Sequence, residues 1–209
     1  MIFNQHSNFE GQHAFLGASK YSWLNYDKEK LEAAYRRQYL NSIGTILHDL
    51  AHRCIVNLVK INKNDRHLVQ LTLLNEGIPQ GLIDANSILE TLSPFVNDAI
   101  GFKMASEQIL YFSDNAFGTA DAISFENNLL RIHDYKSGIT PVHMDQLRIY
   151  AALFCLEYNV KPEKIISELR IYQSGQIIYE EPDPELIRSI MKKIIDSDKF
   201  LNKIKKEER

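Results

Sequence analysis

Residues 117–138 read FGTADAISFENNLLRIHDYKSG, and this stretch decides the fold. Two runs rich in β-formers flank Asn127-Asn128, a pair suited to the left-handed conformations of a tight hairpin turn. Side chains alternate along a strand, so Asp121, Ile123 and Phe125 are expected on one face of the first strand. On the second strand, Leu130, Ile132, Asp134 and Lys136 share one face, and Leu129, Arg131, His133 and Tyr135 share the other. Asp134 and Lys136 thus end an otherwise apolar face, and pairing about the turn brings Asp121 close to them. Two carboxylates and a lysine at the edge of a core are costly unless something uses them.

A divalent cation is the simplest user. Mg²⁺ and Mn²⁺ prefer oxygen ligands and keep several waters, so two carboxylates and a main-chain carbonyl suffice as the protein's share. A lysine beside them can orient or deprotonate a water, or hold charge on a phosphate. The alternative is an amphipathic hairpin whose Asp134–Lys136 pair is an ordinary surface ion pair.

The spacing Gly118-x-x-Asp121 followed by Asp134-Tyr-Lys-Ser-Gly138 resembles the active-site core of the PD-(D/E)xK nucleases. The RecB-type branch, with the CRISPR-adaptation nucleases and phage exonucleases, is the nearest in pattern. Gln146-Leu-Arg-Ile-Tyr150 fits its Q-x-x-x-Y helix motif, and Gly44-Thr-Ile-Leu-His48 fits its G-x-x-x-H helix. The resemblance implies an α/β fold whose central mixed sheet holds the 117–136 hairpin between helices 43–59 and 141–158. It implies Mg²⁺- or Mn²⁺-dependent hydrolysis of DNA, by an exonuclease of recombination, repair or phage DNA processing. It further implies a recombination or repair protein as a partner. Asp121, Asp134, the Tyr135 carbonyl and His48 would hold one or two ions. Lys136 would act on the attacking water and the phosphate, and Gln146 and Tyr150 would position the strand. A catalytically silent DNA-binding or scaffolding module of the same fold is the alternative. Many RecB-type nucleases hold an iron–sulfur cluster on four cysteines. This chain has only Cys54 and Cys155 and cannot supply them.

A length of 209 residues, 44% of them hydrophobic and 24% charged, suits a single domain with one core. A net charge of −3 is not that of a protein that coats DNA. No stretch resembles a signal peptide or a membrane span, which points to the cytoplasm. Both cysteines fall in apolar helical stripes and read as buried thiols of a reducing compartment.

Along the chain, Ser19 is a candidate cap of a short helix containing Trp23, a core anchor or a base-stacking ring. Asp27–Leu40 reads as a polar helix carrying Arg36-Arg37, and Ile43–Val59 as a separate amphipathic one. His48-Asp-Leu-Ala-His52 is similar to a zinc-protease H-E-x-x-H with the acid one methylene short, and His52 is expected to face outward. Residues 65–102, with Gly77, Pro79, Gly81 and Pro94, are expected to form short helices and loops inserted beside the cleft. Glu107 precedes a strand, Gln108–Phe112, and either supports the site or is a surface acid. A second hairpin turns at Ser174-Gly175, and Asp183-Pro184 opens a last helix whose lysine-rich end is expected to fray into solvent or to assist DNA binding.

Overall fold

The computed structural model describes residues 14–16 and 18–207. The described residues form two compact units, divided between Ser42 and Ile43 inside the first helix. In the first unit a 3₁₀ segment, Ala18–Asn25, takes the place of the α-helix expected there, and Trp23 in it is half-buried. Asp27 Oδ1 then accepts the backbone N–H of Lys30 at 2.7 Å and caps helix α1, Lys28–Val56. The two helices expected on either side of residues 41–42 are therefore one. Arg36 lies exposed, paired with Glu32 at 2.7 Å one turn away.

The second unit is built on a five-stranded mixed sheet in the order β1-β2-β3-β4-β5. The strands are β1 (Ala105–Ser113), β2 (Ala116–Glu126), β3 (Leu129–Lys136), β4 (Ile166–Gln173) and β5 (Gln176–Glu180). β1–β2, β2–β3 and β4–β5 are antiparallel, and β3–β4 is parallel. That parallel pair needs a crossover, which helix α4 (Asp145–Glu157) supplies. The tight turns fall where the residue types demand them, with positive φ at Asn127, Asn128, Ser174 and Gly175. The fold is thus α/β with a central mixed sheet, as expected.

One face of the sheet packs against α4 and helix α5 (Pro184–Glu207). Leu130, Ile132, Leu169 and Ile171 meet Leu147, Ala151, Phe154 and Ile187 there in one apolar cluster. Helix α2 (Arg66–Asn75) leads to α3 (Ala85–Gly101), which covers the other face. Its Phe95 ring lies 5.7 Å from that of Tyr135 and 5.5 Å from that of Tyr172. The short helices and loops expected over 65–102 are overturned by this 17-residue helix. Pro94 lies inside it, and the burial of Leu89, Leu92, Phe95, Val96 and Ala99 outweighs the hydrogen bond that proline removes. Asp198 of α5 accepts from Ser113 Oγ at 2.6 Å and Asn115 Nδ2 at 2.8 Å, tying the helix to the β1–β2 turn, while residues 199–207 beyond it stay helical and almost wholly exposed. Among the described residues no helix is long and apolar enough to cross a membrane.

Candidate metal centre

The pairing of β1, β2 and β3 sets three acids in a row. Ser106 pairs with Ala122 and Gln108 with Ala120, so Glu107 stands opposite Asp121. Ala122 pairs with His133, so one step further Asp121 stands beside Asp134. At that step the regular ladder gives way. The backbone N–H of Tyr135 donates to Asp121 Oδ2 at 2.8 Å, which draws this carboxylate between the strands. Asp121 therefore does not simply extend the face of Ile123 and Phe125. Glu107 has a φ of +54°, which strands of L-residues rarely adopt. Such local distortion redirects a side chain.

Helix α1 supplies His48, whose Nδ1 lies 3.4 Å from Asp121 Oδ2. Ligand atoms of His48, Glu107 and Asp121 all fall within 4.8 Å of one another. The two carboxylates suit Mn²⁺ or Mg²⁺, and the imidazole adds a nitrogen donor that favours a transition ion over Mg²⁺. Asp134, 1% exposed, completes the acidic wall. It stands outside the His48–Glu107–Asp121 group, and the charge facing its Oδ2 is the Lys136 ammonium at 3.0 Å. The donor set fits a hard divalent ion, with Glu107 in addition to the expected residues.

The lysine is held from two sides. Lys136 Nζ donates to Asp134 Oδ1 at 3.1 Å, lies 3.0 Å from Oδ2, and donates to Gln146 Oε1 at 3.0 Å. Gln146 Nε2 in turn donates to the Tyr150 hydroxyl at 3.1 Å. Asp134, Lys136, Gln146 and Tyr150 thus form one chain from the sheet to α4. The helix begins at Asp145 rather than Pro141, so Gln146 sits in its first turn. Two glycines permit the close approaches. A Cβ on Gly118 would come within 2.8 Å of Tyr150 Cε1, and one on Gly44 within 3.2 Å of Ser137 Oγ.

Burial pushes the Asp121 and Asp134 carboxyls up to about 6, their neighbours Glu107 and Asp121 respectively adding repulsion. The Tyr135 N–H bond and the Lys136 charge oppose this rise. Burial also lowers His48, against the pull of Asp134 and Glu107. A neutral imidazole is the form that binds metal.

Tyr135 contributes its main-chain N–H to this site, and its buried ring packs edge-on against His48 at 5.4 Å. His52 does not face outward: its Nδ1 lies 3.1 Å from Ser106 Oγ. With His48, Thr45, Asp49 and Glu107 it lines a cavity of about 300 Å³. Cys54 and Cys155 are buried, free thiols on α1 and α4.

No family model matches the chain, and no curated protein or solved structure matches it either.

Proposed function

We propose that this protein is a metal-dependent nuclease of the PD-(D/E)xK type, hydrolysing phosphodiester bonds in DNA. The observation that carries the reading is the Asp134–Lys136–Gln146–Tyr150 chain beside the His48, Glu107 and Asp121 donors. His48, Asp121 and Asp134 would hold Mg²⁺ or Mn²⁺, with Glu107 and the Tyr135 carbonyl completing the set. Bound there, such an ion would acidify a water and offset the charge that develops on the phosphate. Lys136, fixed by Asp134 and Gln146, would orient the attacking water and hold the negative charge of the transition state. Gln146 and Tyr150 keep the ammonium from swinging into solvent, a positioning role. The buried walls limit competing water around these charges.

The test uses end-labelled linear DNA and closed circular single-stranded DNA with Mn²⁺, Mg²⁺ or EDTA, comparing wild type with Lys136→Ala. Metal-dependent degradation that disappears in the variant is the expected result, and survival of the circle assigns exonuclease action. Metal-independent binding of DNA by both proteins, with no cleavage by either, would favour the scaffolding alternative. Cleavage undiminished in the variant would sink the assignment of the site.

A further inference from the structure

Lys136 is the last residue of β3, Gln146 lies in the first turn of α4, and their side chains meet at 3.0 Å. The chain between them, residues 137–144, has no regular secondary structure. Residues 137–141 are exposed, and Ile139 at 91% is almost wholly in solvent. A Cβ on Gly138 would meet open space. The segment joins the apolar cluster under α4 at Val142 and Met144, so its first half needs an anchor of another kind.

β4 supplies that anchor. In the parallel ladder Lys136 pairs with Gln173, the last residue of β4. Leu169 and Ile171 lie in the α4 cluster, so Gln173 ends the same face of β4 that Lys136 ends on β3. The Lys136 ammonium is taken up by Asp134 and Gln146, and Gln173 turns to the connecting segment. Its Nε2 donates to the Gly138 carbonyl at 2.6 Å and to the Thr140 carbonyl at 2.8 Å. One amide thus holds the carbonyls on either side of Ile139. Among the described residues no other hydrogen bond reaches the main chain of residues 138–141. Fixing these two carbonyls shortens the free chain that the Lys136–Gln146 bond has to close, which lowers the entropic cost of that bond.

We propose that Gln173 is a positioning residue of the candidate nuclease: by clamping residues 138–140 it sets where Lys136 and Gln146 meet. Its effect on cleavage rests on the nuclease reading; the clamp itself does not.

Gln173→Met tests this, since methionine keeps the length of the side chain, adds no charge and has no N–H to offer. With Mn²⁺ and linear DNA, kcat should fall about tenfold with KM for the DNA unchanged. Hydrogen exchange of the amides in residues 137–144 should quicken, while β3 and β4 stay as protected as in wild type. That pattern separates a loosened segment from a destabilised fold. Gly138 has no positive φ, so alanine fits there and narrows the freedom of the segment. Gly138→Ala added to Gln173→Met should therefore restore part of the lost rate. Wild-type exchange at 137–144 in Gln173→Met would overturn the clamp. Faster exchange with wild-type kcat would overturn the positioning role. The two readings fail separately. Cleavage abolished by Lys136→Ala but unchanged in Gln173→Met would discard the positioning role alone. Absence of cleavage by wild type would discard the nuclease, and exchange at 137–144 would then decide the clamp by itself.

Discussion

Gly118 lies against the ring of Tyr150, so close that a Cβ there would stand 2.8 Å from Tyr150 Cε1. An aromatic ring cannot yield as the end of a flexible chain does, so Gly118→Ala should push Tyr150 away and loosen Gln146 and Lys136 in turn. Displacements of under 1 Å at a positioning group cost roughly tenfold to a hundredfold in rate. The expected outcome is a folded protein in which the proposed DNA cleavage slows by that factor, with a stability loss of about 1–3 kcal/mol from overpacking. Circular dichroism and turnover measured together check it. Full activity would mean that Tyr150 is not positioned by this contact.

Glu107 separates metal binding from stability. Its φ of +54° is strained for glutamate but tolerated by asparagine, so Glu107→Asn should fold at least as well as wild type. The same change removes a carboxylate from the His48–Glu107–Asp121 group. Thermal unfolding with and without 5 mM Mn²⁺ (a concentration of order 100 times a typical weak site's Kd would add about 2.7 kcal/mol) should therefore show a smaller metal-induced rise in the variant. His52→Ala, whose ring is engaged with Ser106, should keep the wild-type rise.

The acids also set a pH dependence in the metal-free protein. Asp121 and Asp134 have carboxyl pKa values raised by burial to about 6. A raised folded-state value means that these groups favour the fold when protonated. Their contribution is complete below the unfolded value near 4 and is lost as pH rises through about 6. His133, driven down to about 3 by burial and by the charges of Arg170 and Arg131, works the other way, losing stability as pH falls below about 6.5. Comparison with Asp134→Asn isolates the acid. In EDTA at pH 8 the variant should melt about 3–6 °C above wild type, and by pH 4.5 the gap should close. A variant less stable at pH 8 would show that the ion pair with Lys136 outweighs desolvation.

Much of this arrangement was legible in the sequence because it is local. The alternation of Leu130, Ile132, Asp134 and Lys136 and the Asn127-Asn128 turn follow from period and turn chemistry alone. Gln146 and Tyr150 stand one helical turn apart, so their pairing was equally open to reading. The opposite face of β3 was not. Arg131 and His133 look like solvent-facing residues, yet His133 is wholly buried under α3. The groups that make this tolerable, Glu168, Arg170 and Tyr172, arrive from β4 by parallel pairing, and Asp98 arrives from α3. Glu107 was ambiguous because its place depends on a backbone distortion that no side-chain pattern encodes.

That hidden face offers the last test. The Tyr172 hydroxyl donates to Asp98 Oδ2 at 2.7 Å and lies 3.3 Å from His133 Nδ1, while Arg170 reaches the same Asp98 oxygen at 3.2 Å. Asp98 anchors α3 in this network, so Asp98→Ala leaves the Tyr172 hydroxyl only its longer contact with His133 and Arg170 only Glu168, at 3.0 Å. The expected cost is about 2 kcal/mol, near 4–8 °C in Tm for a chain of this size. Tyr172→Phe removes the donor as well as its need and should cost about 1 kcal/mol. Because the two groups share one hydrogen bond, the double variant should be less destabilised than the sum of the singles, by about 1 kcal/mol. Strict additivity in denaturant unfolding would show that α3 is held by the packing of Phe95 on Tyr135 and Tyr172 rather than by this polar network.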